Sequence, residues 1–260
     1  LIACSEAATQ RVLSLRNICV DAAIECRTWR TLAPLSTHSG PAMPVEMIGW
    51  VTPQIDSELI AATGPVFNHD AIERAARIHE AADFDRALFG YFSDAPDGFL
   101  VAAHAATVTK RLKFLMAHRP GFIAPTLAAR KFATLDQLTH GRASIHLIAG
   151  GRDAEQARDG DFALHDERYT RMGEYVDLLK KVWTETEPFD YDGDFYKIVQ
   201  AHSQVRCEQQ PRIPIFGGGG SASAIETLAP RVDVFMLWGE SLAATQVFMD
   251  RVRGAAGPAH

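Results

Sequence analysis

Short apolar runs alternate with longer amphipathic segments from Met47 to the end of the chain. The apolar runs predict buried strands, because nearly continuous hydrophobicity is typical of strands that are covered on both faces. The segments between them carry apolar residues at helical spacing and predict helices. The predicted strands are Met47–Thr52, Arg86–Phe92, Leu112–His118, Ala143–Ala149, Ile213–Phe216 and Val234–Trp238. The predicted helices cover residues 69–83, 97–110, 124–140, 167–185, 221–231 and 241–253.

Three local signals refine this outline. Gly141 follows the third helix as a C′ residue would, and Ser223 with Glu226 matches the S-x-x-E capping box. The dipeptide Asp192-Gly193 lies between two short β-prone stretches and predicts a hairpin with a type I′ turn.

The alternation of strands and helices predicts an α/β fold, in which a parallel sheet is wrapped by helices. Two closures fit, a (β/α)8 barrel and an open doubly wound sheet. Six units fill residues 47–253 at about 34 residues each, so a full barrel needs more chain than follows Met47. If the sheet closes as a barrel, residues 43–260 form one that is truncated at its C-terminus to about six units, with the edges of its first and sixth strands unpaired.

The first 42 residues lack this rhythm. We interpret residues 1–42 as an N-terminal extension, and a short helix over residues 11–26 is the alternative. A secretory signal fits badly, because Arg16, Asn17 and Asp21 interrupt the apolar stretch.

Composition excludes several classes of protein. The chain of 260 residues is 47% hydrophobic and 22% charged, which is typical of a globular fold rather than of a disordered one. The formal net charge of −6 argues against a nucleic-acid-binding protein, and no apolar run is long enough to predict a membrane span. The four cysteines form no C-x-x-C pair and the ten histidines are scattered, so we predict no metal site and a cytoplasmic location.

The strongest chemical signal is the glycine-rich turn from Gly217 to Ser221, which follows a predicted strand and opens a predicted helix. Glycines allow a ligand to approach the backbone closely, and the first N–H groups of a helix lack internal partners. The turn therefore predicts a phosphate site on its backbone N–H groups, to which the Ser221 hydroxyl could add a donor, with Ser223 as the helix cap. A tight turn or a flexible linker is the alternative without a ligand.

The same turn also satisfies the dinucleotide-binding pattern G-x-G-x-x-A through Gly217, Gly219 and Ala222. Glu240 follows at about the distance that a Rossmann fold requires. However, that motif normally follows the first strand of its domain, and four predicted strand units precede it here.

Other candidates lie at the ends of predicted strands. Pro120 ends the third strand, which would place His118 and Arg119 near a barrel mouth, and a strand-end pair that is simply solvated is the alternative. His146 lies inside an apolar strand, where it is either a core residue or a ligand contact. His118 and His146 are the candidate catalytic groups. Arg168 and Tyr169 open a helix and could hold a phosphate or an acid, although an internal salt bridge explains Arg168 equally well.

A family resemblance connects these positions. The stretch from Arg111 to Asp136, Gly141-Arg142-Ala143, Asp166-Glu167-Arg168-Tyr169, Phe216-Gly217-Gly218 and Leu237-Trp238-Gly239-Glu240 occur in the order found in bacterial luciferase-like flavin monooxygenases. The chain most resembles the alkanesulfonate monooxygenase branch of that family, over residues 47–253.

The resemblance implies a TIM barrel that uses reduced FMN (FMNH2), supplied by a separate flavin reductase, and O2 to oxidise a small organic substrate. In the sulfonate branch the products are an aldehyde and sulfite. The family's phosphate site falls on Gly219, Gly220 and Ser221, its Arg-Tyr pair on Arg168 and Tyr169, and an inward-facing asparagine on His146. The resemblance also implies a homo-oligomer, and other branches of the superfamily use the deazaflavin F420.

The chain departs from the sulfonate enzymes at residues that act on substrate. Ala95 stands where those enzymes have an active-site cysteine, and their first-strand histidine has no clear counterpart near Pro53-Gln54. Three interpretations therefore remain: a flavin-dependent monooxygenase, a non-catalytic flavin-binding protein that kept the fold, and a Rossmann-type nicotinamide oxidoreductase.

Overall fold

The computed structural model describes residues 3–4, 45–55 and 61–257. The predicted helix over residues 11–26 lies outside the described residues. The strands are β1 (Ala3–Cys4), β2 (Ile48–Val51), β3 (Arg86–Phe89), β4 (Lys113–His118), β5 (Ala143–Leu147), β6 (Phe189–Asp192), β7 (Lys197–Ala201), β8 (Ile215–Gly218) and β9 (Val234–Met236). The helices are α1 (His69–Ala81), α2 (Gly98–Ala106), α3 (Pro125–Leu138), α4 (Asp153–Arg158), α5 (His165–Thr184), α6 (Ala222–Leu228) and α7 (Leu242–Ala256).

The main sheet confirms the predicted parallel α/β architecture. Its strand order is β1-β9-β8-β5-β4-β3-β2, and all pairs from β2 to β9 are parallel. From β2 to β9 each strand pairs with the next strand of this sheet along the chain, and the hairpin of β6 and β7 is separate. This order has no reversal, whereas a Rossmann sheet changes direction at its switch point. The sheet therefore winds as part of a barrel, and the Rossmann interpretation of the glycine turn is wrong.

The outer edge of β9 is paired, contrary to the prediction that the sixth predicted strand has a free edge. Ala3 and Cys4 pair antiparallel with Met236 and Phe235 of that strand. The backbone of Ala3 and Cys4 thus pairs with the outer edge of β9, whose N–H and C=O groups would otherwise be available to another chain.

The strands alternate between two apolar environments. Residues such as Phe114, Met116, Ile145 and Leu147 contact the helices and belong to the main core. The alternate positions face the concave side of the sheet and form a second cluster of Ile48, Leu88, Leu115, Phe216 and Met236. Because side chains on a strand point to opposite faces in turn, this alternation determines which polar residues can reach the barrel interior.

A polar layer closes the concave face at the end where the strands begin. The guanidinium of Arg86 donates to Glu46 at 2.8 Å and to the Ser144 hydroxyl at 3.0 Å, and it lies over the Phe216 ring. Lys113 adds an ion pair to Glu46 at 3.4 Å. The opposite end of the sheet, where the strands finish, is therefore the end left available for a ligand.

Helix boundaries follow their capping groups. The Asn68 side chain accepts from Ala71 N–H at the start of α1, Asp97 caps α2 in the same way, and Pro125 is the first residue of α3. At the end of α3, His140 takes the left-handed C′ position with φ of 54°, and Gly141 follows it. The prediction that Gly141 is the C′ residue is therefore one position late.

The predicted hairpin exists, but its turn differs from the predicted two-residue type. Strands β6 and β7 are joined by the four residues 193–196, and Gly193 N–H donates to the Tyr196 carbonyl at 3.0 Å. The carboxylate of Glu174 accepts from Phe195 and Tyr196 N–H at 2.9 Å each, so α5 determines the loop conformation.

No helix in the described ranges combines the length and the apolar character that crossing a membrane requires.

The carboxylate of Glu80, at the end of α1, joins this helix to the start of β4. One oxygen accepts from the N–H groups of Lys110, Arg111 and Leu112 at 2.8, 2.7 and 2.9 Å. Partial burial opposes ionisation, but these three bonds outweigh it and lower the pKa of Glu80. The structure thus favours the charged carboxylate.

We expect Glu80→Gln to lower the melting temperature by a few degrees at pH 7, because the neutral amide is a weaker acceptor. The folded-state pKa lies below the ordinary value, so this contribution is present above pH 4.5 and is lost as the pH falls through the folded-state pKa. Thermal melts from pH 7 to pH 3 measure the difference between variant and wild type. Glu226→Gln is the control, and an equal loss there would contradict the prediction.

Candidate active site

His146 lies on the concave face of β5, between Ala117 of β4 and Phe216 of β8. Its Nδ1 atom is buried and has no hydrogen-bond partner among residues 3–4, 45–55 and 61–257. Burial lowers the pKa of His146 to about 4, so the imidazole is neutral at pH 7. A buried ring nitrogen without a partner is rare in a folded core, so His146 stays a candidate for contact with a ligand.

His118 lies on the other side of the sheet. Its Nε2 is 2.7 Å from the Tyr175 hydroxyl, and its ring packs against Phe99 and Phe132 of the helix layer. Burial, followed by the charge of Lys131, lowers the pKa of His118 to about 3. The prediction that His118 lies at the mouth is wrong, because His118 is three positions from Leu115, which faces the barrel interior, and an odd offset along a strand turns a side chain to the opposite face.

The glycine turn is shorter than predicted. Gly217 and Gly218 belong to β8, and a Cβ at Gly218 would overlap the Met236 carbonyl of β9. The turn therefore consists of Gly219, Gly220 and Ser221, the three residues assigned to a phosphate site. The N–H groups of Gly219 and Gly220 donate to no residue in the described part of the chain.

Tyr169 of α5 reaches this turn. A Cβ at Gly219 would overlap the Tyr169 hydroxyl and would lie 2.6 Å from Ala224 Cβ. Burial raises the pKa of Tyr169, so its hydroxyl keeps its proton at neutral pH. The structure thus brings together two predicted site elements, and it places a hydroxyl donor beside two free backbone N–H groups.

Ser221 caps α6, which corrects the prediction that Ser223 is the cap. The Ser221 hydroxyl accepts from Ala224 N–H at 3.1 Å and lies 2.9 Å from the Ser223 hydroxyl. Ser223 in turn donates to Asp166 at 2.7 Å. Hydrogen bonds from His165 and Ser223 lower the pKa of Asp166, so a negative charge lies close to the turn.

Arg168 forms the internal salt bridge that was one of its two predicted roles. Its Nη1 donates to Asp153 at 3.0 Å and to the Ala163 carbonyl at 2.7 Å. Its side chain is buried, and Nε has no partner within the described residues. Arg168 therefore holds the segment before α5 rather than pointing at the glycine turn.

Sequence reasoning missed the aromatic wall and the short helix at the mouth. Trp50 and Phe92 stack at 6.4 Å between ring centroids and are 45% and 47% exposed. Helix α4 follows β5 and contacts the residues after β3 and β4 through Glu155. The inward position of Trp50 follows from strand alternation. Helix α4 has only six residues, which is too short to give a periodic signal in the sequence.

The strand ends next to the glycine turn carry small inward-facing residues. Small residues Gly90, Ala117 and Gly218 occupy inward positions at the strand ends, and His146 lies among them. The turn with its free N–H groups lies at the end of the adjacent strand β8.

Comparison with known proteins identifies the family. The sequence model of the luciferase-like monooxygenase family matches residues 46–259. The chain belongs to the luciferase-like monooxygenase family. This luciferase-like chain keeps the family fold over nearly all of its described residues.

Three solved structures show the same fold. A riboflavin lyase, solved with modified FMN and riboflavin, has a TM-score of 0.72 at 17% identity over 81% of this chain and 58% of that one. A long-chain alkane monooxygenase has a TM-score of 0.70 at 17% identity over 83% and 61%. An F420-dependent secondary alcohol dehydrogenase, in complex with an F420–acetone adduct, has a TM-score of 0.66 at 18% identity over 82% and 65%.

The luciferase-like chain thus spans about three-fifths of the length of these structures. Flavin and deazaflavin ligands both occur among them, so the fold accommodates either type of ring system.

We expect Gly219→Ala to destabilise the luciferase-like chain by about 1–3 kcal/mol, because the added methyl group overlaps Tyr169 and Ala224. Urea unfolding measures this loss. Tyr169→Phe removes the overlapping hydroxyl, so Gly219→Ala should cost less in that background.

Gly220→Ala is the matched control. No atom lies within 4 Å of a Cβ at Gly220, and its φ is not in the left-handed region. We expect the control to change stability by less than about 0.5 kcal/mol. Equal costs at positions 219 and 220 would disprove the close approach of Tyr169.

Proposed function

We propose that the chain binds FMN on the concave face of the sheet and belongs to an FMNH2-dependent monooxygenase. The observation that carries the proposal is the turn at the end of β8, where Gly219 and Gly220 present free N–H groups beside the Tyr169 hydroxyl. A phosphate accepts hydrogen bonds from this set of donors. Gly219, Gly220, Ser221 and Tyr169 would hold the phosphate.

His146 would hold the flavin ring. It is the ionisable side chain among the small inward residues at the strand ends, and its unpartnered Nδ1 offers one hydrogen bond. Because the imidazole is neutral at pH 7, it orients a polar ring atom without adding charge. Arg168 contributes indirectly, since its ion pair with Asp153 fixes the segment that leads into α5 and Tyr169.

Reduced FMN supplies the reaction with O2, and the protein's part is binding, orientation and exclusion of water. The apolar cluster of Leu88, Leu115, Phe216 and Met236 fills the barrel interior beneath the ligand. The aromatic pair Trp50 and Phe92 borders the mouth. These side chains keep bulk water away from the inner face of a bound ring.

The resemblance to the sulfonate branch makes alkanesulfonates the first substrates to test, with a separate flavin reductase as the source of FMNH2. One of the solved structures with the same fold is an F420-dependent enzyme, so F420 is the alternative cofactor. A chain that binds flavin without turnover would be the non-catalytic alternative. A homo-oligomer is part of the same proposal.

We expect the chain to bind FMN, and His146→Ala to weaken this binding about tenfold, because the variant removes one hydrogen bond in a buried site. Titration followed by flavin fluorescence measures the dissociation constant. The visible spectrum of bound FMN gives a second readout, since loss of a polar contact to the ring shifts its absorption bands.

His202→Ala is the control, because His202 is exposed next to the end of β7. It should leave FMN binding unchanged. Oxygen uptake with chemically reduced FMN and C2–C10 alkanesulfonates then separates turnover from binding alone. If the chain binds F420 more tightly than FMN, the proposed cofactor is F420 instead of FMN. If the chain binds neither, the proposal is refuted.

A further inference from the structure

A cluster of charged side chains lies at the end of the sheet where the strands begin, away from the candidate active site. Arg212 and Asp233 lie just before β8 and β9, and their side chains form a bidentate ion pair at 2.7 and 2.8 Å. Arg231 donates through Nε to Asp177 of α5 at 3.1 Å. Each of the two carboxylates in the cluster is therefore already paired with an arginine.

Lys180 of α5 lies beside these two ion pairs and takes part in neither. Its ammonium group has no hydrogen-bond or ion-pair partner among residues 3–4, 45–55 and 61–257. The charges that act on it are those of Arg212, Asp233, Asp177 and Arg231. The cluster thus contains three cations and two carboxylates, and Lys180 is the cation without a counter-charge.

The surroundings of Lys180 favour its neutral amine. Partial burial lowers the pKa of Lys180, and the charge of Arg212 lowers it further. The charges of Asp233 and Asp177 oppose this change without cancelling it. Lys180 is therefore unprotonated more often than an ordinary lysine at the same pH, and only the unprotonated amine has a lone pair that can attack carbon.

The other five lysines of the chain lack this combination of features. Four of them are held by a neighbouring side chain: Lys113 and Lys197 in ion pairs, and Lys131 and Lys181 over aromatic rings. Lys110 is exposed, and its ammonium group bonds to none of the described residues. It is therefore the matched control for an unpaired amine outside the cluster.

The two arginines of the cluster keep N–H groups that a phosphate can use. Arg231 donates through Nε to Asp177 and through Nη1 to the Thr227 carbonyl, and its Nη2 bonds to no residue in the described part of the chain. Nε of Arg212 is likewise without a bond to those residues. Because arginine binds phosphate well, the cluster suits an electrophile that carries a phosphate group.

We propose that Lys180 is a site of acylation and that acyl phosphates are its donors, with the phosphate group held by Arg212 and Arg231. The Nζ lone pair attacks the acyl carbon, the bond from this carbon to the phosphate oxygen breaks, and phosphate leaves with that electron pair. The attacking amine loses one proton to water, so the product is a neutral amide. Acylation thus removes the uncompensated charge, and the cluster then holds two cations and two carboxylates.

Competitive labelling of the six lysines tests this proposal on the folded, full-length chain. The chain is treated with limiting acetyl phosphate or limiting acetic anhydride, and peptide mass spectrometry measures the acetylated fraction of each lysine. We expect acetyl phosphate to acetylate Lys180 about fivefold more than Lys110. The ratio of Lys180 to Lys110 should be smaller with acetic anhydride, which has no phosphate group for the arginines to bind.

Two substitutions in the cluster should shift this reactivity in opposite directions. Asp177→Asn removes a carboxylate and should raise acetylation of Lys180 about threefold, because the excess of positive charge grows. Arg231→Gln leaves Asp177 free to pair with Lys180 and should lower acetylation about threefold. Arg77→Gln, which breaks the ion pair with Glu73 on α1, is the control and should leave Lys180 unchanged.

Three results would each overturn the proposal: equal acetylation of Lys180 and Lys110 by acetyl phosphate, the same ratio with both reagents, or changes of the same sign in the two cluster variants. Circular dichroism checks that each variant is folded. The comparison of lysines in the wild-type chain needs no variant, so it decides the proposal even where a substitution prevents folding.

Discussion

The two-residue alternation of side chains along parallel strands is the constraint on which the site depends. It turns Leu115 and Ala117 of β4 toward the concave face and Met116 and His118 toward the helices. On β5 it turns His146 inward. Two histidines in similar apolar strands therefore have different chemistry, because one bonds Tyr175 in the core and the other keeps a free nitrogen over the barrel interior.

Close backbone approach is the second requirement, and glycine meets it at two adjacent positions. Gly218 allows β8 to lie against the Met236 carbonyl of β9, and Gly219 allows the Tyr169 hydroxyl to reach the turn. The first contact belongs to the sheet and the second to the site. The glycine run is therefore divided between structure and ligand binding, which explains why the turn begins two residues later than the sequence pattern predicts.

Sequence periodicity and capping signals were sufficient for the six main strands and for every described helix except α4, because burial on both faces and helical spacing leave strong signals. It could not locate contacts between distant segments, such as Glu80 with the N–H groups before β4 or Asp153 with Arg168. Helix α4 was missed for a different reason. Its six residues bury only polar side chains, so it has no apolar stripe to detect.

The mouth is divided into regions of different electrostatics. Near the glycine turn, the N–H groups of Gly219 and Gly220, which have no partner among the described residues, favour an anion. The carboxylate of Asp166 accepts from the Ser223 hydroxyl and so places a negative charge close to the same turn. Near Ser93, Arg119 forms an ion pair with Glu155 at 2.8 Å, and the stacked rings of Phe92 and Trp50 follow in the same part of the mouth. Helix α5 contacts both regions, because its Arg168 binds Asp153 of α4 and its Tyr169 meets the glycine turn.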